Sequence, residues 1–394
     1  MHCVDGNDYS VFSILPPYNN IHAQLIDPQG RLVKTPGSVR MTYQAVADPT
    51  GSSNRTSIGK TNFWDHVNAL FGVNLAPDMG LAGNAMPGAA NKPQAMKFDA
   101  KTFHFTAEGV PILPYPDGGM PKNYYPMMRL TALDAAGKTL ATADIVLPVS
   151  DEMACSNCHD SGISSPTMPN GGWKYDPKDP SKNYKLNIRA KHDDKHKTSL
   201  LTTQPVLCAS CHAFNALGTK GAVNVPPLTQ ALHSRHANSW DTALGMTLGD
   251  ASNREACYRC HPGSVTKCLR GAMGNAGMKC RSCHGQMKDV GAAGRQGWID
   301  EPACENCHTG TALKYNGAIR QTNAFDHTGG PLRQPADRRF AVTTGALYKP
   351  AAGHGGLACE ACHGSTQAKY PSSHVNDNLQ STKLQGHTGT VSEC

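Results

Sequence analysis

Cys257-Tyr258-Arg259-Cys260-His261, Cys280-Arg281-Ser282-Cys283-His284 and Cys304-Glu305-Asn306-Cys307-His308 follow one another in the middle of the chain. Cys155-Ser156-Asn157-Cys158-His159 and Cys208-Ala209-Ser210-Cys211-His212 precede them, and Cys359-Glu360-Ala361-Cys362-His363 comes after. All six runs read Cys-x-x-Cys-His, the attachment signature of c-type haem. Two thiols three residues apart reach the vinyl groups on one edge of a porphyrin as thioethers, and the histidine that follows becomes the proximal iron ligand. Structural zinc also uses Cys-x-x-Cys pairs, but it does not demand histidine at the next position six times over. A thioredoxin-like redox pair needs one such motif on a βαβ scaffold. A disulfide framework would space its cysteines irregularly. Six haem c groups are therefore expected on these twelve cysteines, with His159, His212, His261, His284, His308 and His363 as proximal ligands.

Composition agrees with that reading. Only 39% of the 394 residues are apolar and 6% aromatic, lean for the length. Haem is a large apolar plate, so protein wrapped around it needs less Leu, Ile and Phe of its own. The 39 Gly and 27 Pro suit loops threaded between cofactors. A formal charge of +7 does not argue for nucleic acid, because the paired propionates of six haems outweigh it. Many Lys and Arg are expected to meet those propionates. No run approaches the roughly 18 apolar residues of a membrane span.

Met1-His2-Cys3-Val4-Asp5-Gly6 lacks the charged-then-apolar pattern of an export signal. Covalent haem attachment follows export, so a precursor carrying such a signal is expected. At the other end, the approach to Cys394 through Gly386-His387-Thr388-Gly389 resembles Gly353-His354-Gly355-Gly356 before Cys359, so Cys394 reads as the opening of a seventh motif. Cys3 and Cys268 also stand outside the motifs, and their pairing is open.

Residues 1–150 hold no haem motif. Short β-favouring runs recur there at Ile21 to Ile26, Ser38 to Ala47, Phe103 to Ala107, Met127 to Leu133 and Thr139 to Val149. Asp134 to Lys138 reads as a hairpin turn. An all-β sandwich-like domain of immunoglobulin type is expected, interrupted from Gly51 to Pro93 by an insertion with a short helix over Phe63 to Phe71. Residues 151–394 read as a mostly irregular multihaem region whose short helices wrap stacked haems. Successive motifs start 53, 49, 23, 24 and 55 residues apart, so the third, fourth and fifth should sit close together.

The 18 histidines leave twelve beyond the six proximal ones, enough to close every iron with a second imidazole. Methionine can also ligate haem iron, but the histidine surplus makes it unnecessary. The distal candidates are His192, His233, His236, His327, His354 and His387, with His196 and His374 in reserve. His233 and His236, three apart, share a helical face and can serve two adjacent haems from one rigid element. His22 and His104 fall on strands and read as structural. No residue is assigned a catalytic role.

The motif region resembles the secreted and outer-surface multihaem cytochromes of metal-reducing bacteria, some of which polymerise into haem-lined filaments. Ser10-Val11-Phe12-Ser13-Ile14-Leu15-Pro16-Pro17-Tyr18-Asn19 is similar to the opening of such cytochromes, and so is His354 through Gly364 to a stretch around one of their motifs. The resemblance implies low-spin bis-histidine haems in stacked and T-shaped pairs, and an extracellular or periplasmic site. It further implies redox partner proteins or extracellular electron acceptors, and a homopolymer in which His2 or His22 ligates a neighbour's haem. The expected function is electron carriage by hopping between haems. The alternative is a multihaem reductase with one open iron acting on a small oxyanion.

Overall fold

The computed structural model describes residues 2–263, 265–295, 301–307, 323–327, 329–334 and 352–391. The N-terminal region carries β1 (His2–Cys3), β2 (Phe12–Ser13), β3 (Asn19–Ala23) and β4 (Arg40–Val46), then helix α1 (Phe63–Phe71). It continues through β5 (Gln94–Ala95), β6 (Lys97–Asp99), β7 (His104–Val110), β8 (Met127–Leu133), β9 (Thr139–Val146) and β10 (Val149–Ser150). Strands β5-β4-β8-β9 form one antiparallel sheet and β3-β7-β6 a second. Alternate residues point inward, as a pleated strand requires. Met41, Tyr43 and Ala45 of β4 and Met128, Leu130 and Ala132 of β8 meet Ile21 of β3 and Phe105 and Ala107 of β7 in one apolar core. Asp134 turns β8 into β9, accepting from Gly137 N at 3.1 Å and donating its own amide to Lys138 O at 2.9 Å.

Helix α1 buries Phe63, Val67 and Leu70, spaced by one helical turn, against Tyr9 and Leu207. Gly72 ends it at φ 69°, with its amide on Asn68 O at 2.8 Å.

Chain segments from both regions interlock. β1 pairs in parallel with β10, and β2 pairs in parallel with β11 (Val206–Leu207), immediately ahead of Cys208. The loop between β1 and β2 is pinned by Asp5, whose Oδ2 accepts from Ser13 Oγ at 2.9 Å, Ile14 N at 2.7 Å and Leu15 N at 3.0 Å. Its Oδ1 is buried without a partner. Lys185, itself 3% exposed, donates to the carbonyls of Asp5 and Asp8.

Burial lifts the Asp5 carboxyl from 3.8 to about 6, against the opposing pull of Lys185 and of those three hydrogen bonds. The folded chain thus holds this proton more tightly than the unfolded one. Stability from this group is full below the unfolded pKa and is lost as pH rises through about 6. A rise of about two units corresponds to a few kcal/mol, on the order of 3. Asp5→Asn should therefore gain roughly 3 kcal/mol over the parent between pH 4 and pH 8, read from denaturation midpoints at both pH values. A difference that does not change with pH would remove Asp5 as the titrating group.

The second region is built of short helices: α2 (Ser156–His159), α3 (Asn183–His196), α4 (Leu228–His236), α5 (Ala272–Asn275), α6 (Cys280–His284), α7 (Met287–Val290), α8 (Cys359–His363) and α9 (Val375–Gln385). Helix α9 lies along β9, and its Asn376 Nδ2 donates to Asp48 Oδ2 and Tyr125 O, each at 3.1 Å. Among the described residues no helix is long and apolar enough to cross a membrane.

Candidate functional site

Each motif for which backbone bonds are described folds as a single tight turn. Cys158 N and His159 N both reach Cys155 O, at 3.2 and 2.9 Å. Cys211 and His212 do the same on Cys208 O, at 3.3 and 3.1 Å, and Cys260 and His261 on Cys257 O, at 3.2 and 2.9 Å. One turn therefore sets two thiols and an imidazole on the same side of the backbone, as attachment to one porphyrin edge requires.

All six motifs open onto one continuous cavity of about 3580 Å³. That is several times the ~300–1,000 Å³ of a pocket for a drug-sized ligand. Within it, three motif histidines face a second imidazole. His159 and His236 have ring centroids 6.2 Å apart at 74°, His212 and His192 6.3 Å apart at 87°, and His261 and His233 6.0 Å apart at 9°. Two metal–nitrogen bonds of about 2 Å and two ring radii of about 1 Å span roughly 6 Å when the imidazoles are trans across one ion.

The far nitrogens are already engaged. His233 and His236 turn Nδ1 onto the carbonyls of Thr229 and Leu232, both at 2.7 Å, and His212 onto Pro226 O at 2.7 Å. Nδ1 of His192 meets Thr198 Oγ1 at 2.9 Å. A carbonyl accepts only, so Nδ1 carries the proton in the first three and leaves the Nε2 lone pair free for a metal. Burial pushes the imidazoles of His159, His261 and His284 down to about 4, so each is neutral at pH 7. Nδ1 of His159 is buried without a partner.

Helix α4 supplies two of the opposed rings, and its position is fixed by a close approach. A Cβ on Gly291, after α7, would lie 2.4 Å from Ser234 N and 2.9 Å from the His233 carbonyl carbon. Any side chain there would displace α4, and with it His233.

Sulfur positions give an order in space. The thiols of Cys257 and Cys280 share a hydrogen bond. Burial and then Cys158 raise Cys260 to about 11, and burial and then Cys307 raise Cys283 to about 12. Burial, Asp5 and more weakly Cys155 raise Cys208 to about 12. The second, first, third, fourth and fifth motifs thus follow one another along the cavity, an order that sequence spacing does not contain.

Two guanidiniums line this cavity with N–H groups that have no acceptor among the described residues. Arg189, 2% exposed, donates Nη2 to Thr203 O at 2.8 Å, while Nε and Nη1 are buried and unpartnered. Arg295 leaves Nε in the same state, and its charge reaches both His233 and His284. Such groups call for an anion, and a planar guanidinium matches a carboxylate in bidentate fashion. The propionates of a haem fit that requirement. Among the described residues no three His, Cys, Asp or Glu side chains gather to hold a bare ion. Haem iron asks the protein for only two ligands, because the porphyrin supplies four.

The remaining candidates are spread more widely. His284 lines the cavity with no opposed imidazole among the described residues. His363 also lines it, 3.4 Å from Thr390 Oγ1. His308, Cys394 and the side chain of His354 lie outside the described residues. His327 sits outside the cavity, its side chain 71% exposed and 3.8 Å from Asp326. His387 is exposed and turns Nδ1 to Thr388 O at 3.0 Å. His196 stands 4.8 Å from His192, and His374 stacks on Tyr125 at 3.7 Å and caps α9. Sequence reasoning missed Arg189 and Arg295. No sequence signal marks Arg189, because the buried set of α3 is Asn183, Lys185, Asn187 and Arg189 with Ala190, polar side chains that hydrophobic patterning assigns to solvent.

No protein-family model matches the chain, and neither a curated protein nor a solved structure has significant similarity to it.

Proposed function

We propose that the chain is a multihaem c-type cytochrome that carries electrons among six covalently held haems. One observation carries the reading: within a single cavity reached by all six motifs, three motif histidines face a second imidazole at 6.0 to 6.3 Å. Bound haem iron supplies reversible one-electron chemistry between Fe(III) and Fe(II).

The chain's own residues bind, orient and tune. The two cysteines of each motif would together hold one porphyrin edge. His236, His192 and His233 would hold the iron together with His159, His212 and His261, whose rings they face. The carbonyls of Thr229, Leu232 and Pro226 fix those rings and raise their basicity. Arg189 and Arg295 would take propionates and bring positive charge to the cavity. Helix α4 ties the first and third sites into one rigid unit. At the three sites with opposed rings, two imidazoles would leave no position for a substrate, which favours electron carriage over reduction of an oxyanion there. Thioether attachment sets the chain outside the cytoplasm, with redox partner proteins or extracellular acceptors as its counterparts, and a homopolymer as one form of the conduit.

The test is the denatured mass of the purified chain together with optical spectra, oxidised, dithionite-reduced and then exposed to carbon monoxide. The expected mass includes six haems, and the expected spectra are low-spin and unmoved by the gas. A mass without haem removes the cytochrome reading. A haem that binds carbon monoxide moves the reductase reading ahead of the conduit.

A further inference from the structure

Three of the 15 cysteines stand outside the motifs, and two of them, Cys3 and Cys268, lie among the described residues. They are 265 positions apart in sequence, and the fold brings them to one place. β1 runs parallel to β10, with Cys3 opposite Ser150 and Val4 N on Ser150 O at 2.8 Å. Successive residues of a strand point to opposite faces. Cys3 and Ser150 therefore share the face turned away from Val4 and Val149, which enter the apolar core.

That face meets the segment that follows the third motif. Ser150 Oγ and Thr266 Oγ1 are 2.9 Å apart, and both residues are fully buried. Glu152 clamps the same segment, its carboxylate accepting from Val265 N at 2.9 Å, Thr266 N at 2.8 Å and Thr266 Oγ1 at 2.5 Å. Tyr125 hydrogen-bonds to the backbone of Lys267. Cys268 comes next, its carbonyl accepting from Arg270 Nη1 at 3.3 Å.

Both sulfurs are thiols in the structure, half-buried, and both border the large cavity. Glu152 acts on each of them. Burial and then the charge of Cys268 push Cys3 up to about 12, so it stays protonated at neutral pH and offers little to a metal. Among the described residues no third ligand joins the two sulfurs. Neither cysteine is followed by a histidine, so neither belongs to an attachment turn.

We propose that Cys3 and Cys268 are joined as a disulfide in the exported protein, a staple that fastens the first strand to the segment between the third and fourth motifs. Two S–H bonds break and one S–S bond forms. The two electrons and two protons pass, through a mixed disulfide, to the disulfide of a thiol-exchange oxidant protein, which leaves as a dithiol. Exchange takes place before β1 closes on β10, while both sulfurs are reachable. The staple closes a long loop that takes in the N-terminal sheets and the first three motifs, and it constrains the unfolded chain accordingly. The inference goes beyond the haem reading and shares with it only the oxidising compartment.

Purified protein denatured in iodoacetamide without reductant should carry no label on Cys3 or Cys268, and both should take it after reduction. An unreduced digest should contain one peptide joining the two cysteines, and reduction should split it. Cys3→Ser should leave Cys268 open to label, and Cys268→Ser should do the same for Cys3. Cys3→Ser with Cys268→Ser should unfold at a lower denaturant midpoint than the oxidised parent. If these variants do not fold, the digest of the parent decides alone. Label on both cysteines without reductant overturns the proposal. A cross-link from either cysteine to any other partner overturns it as well. Neither readout passes through haem, so a chain without haem but with the joined peptide defeats the haem reading and keeps the staple. A haem-loaded chain with both thiols free does the reverse.

Discussion

His233→Ala should open a single haem, turning it high-spin and carbon monoxide-binding while the others stay closed. The expectation rests on the pairing with His261, at 6.0 Å, and on a fixed tautomer, since Nδ1 donates to Thr229 O at 2.7 Å. Alanine removes the sixth ligand and supplies no replacement. His236→Ala should open the site of His159 in the same way, at 6.2 Å. The two variants are told apart by ring orientation. His233 and His261 are nearly parallel at 9°, whereas His236 and His159 cross at 74°. Parallel axial imidazoles give a rhombic low-spin ferric resonance, and crossed ones a strongly anisotropic signal. Paramagnetic resonance of His233→Ala should therefore lose one rhombic component, and His236→Ala one anisotropic component. Added imidazole should restore the low-spin state in His233→Gly. If His233→Ala keeps every low-spin signal and ignores carbon monoxide, His233 is not a ligand.

That pair also marks where the sequence speaks clearly. The cysteines and the histidine that follows them are local: five residues state the whole requirement of the proposed haem attachment, and the turn is closed by its own backbone bonds. Helix α1 and strand β8 were legible for a similar reason. Phe63, Val67 and Leu70 follow a helical period, and Met128, Leu130 and Ala132 follow the period of a strand. Distal pairing is a long-range property. His192, His233 and His236 could be chosen because each sits in a helix-compatible stretch between motifs, but no spacing rule says which iron each faces. Helix α3 defeats periodicity altogether, because its buried set includes Asn183, Lys185, Asn187 and Arg189. Hydrophobic patterning assumes an apolar core, and here part of the core is a cavity that wants charge.

Arg270→Ala should be the most destabilising surface-to-core charge change in the described chain, at about 3–5 kcal/mol. Arg270 is 3% exposed and joins three parts of the molecule. Its Nε and Nη2 donate to both oxygens of Asp377 on α9, at 2.6 and 2.8 Å. Its guanidinium lies 4.8 Å from the centre of the Tyr125 ring, below the N-terminal sheet, and Nη1 donates to Cys268 O at 3.3 Å. Removing it leaves the Asp377 carboxylate buried, with Ser372 Oγ at 2.7 Å as its remaining side-chain donor. The cost is that of an uncompensated buried charge rather than of a lost contact. Arg31→Ala is the matched control, because that side chain is 74% exposed beside Asp27 and its loss should cost at most about 1 kcal/mol. Denaturant midpoints of the holoprotein, followed by circular dichroism, compare the two. Replacing both partners, as Arg270→Met with Asp377→Leu, should recover most of the loss, since an apolar pair of similar volume leaves no charge stranded. Equal midpoint shifts in Arg270→Ala and Arg31→Ala would mean that the buried pair does not hold α9 to the sheet. A double variant no better than Arg270→Ala would shift the cause to lost packing on Tyr125.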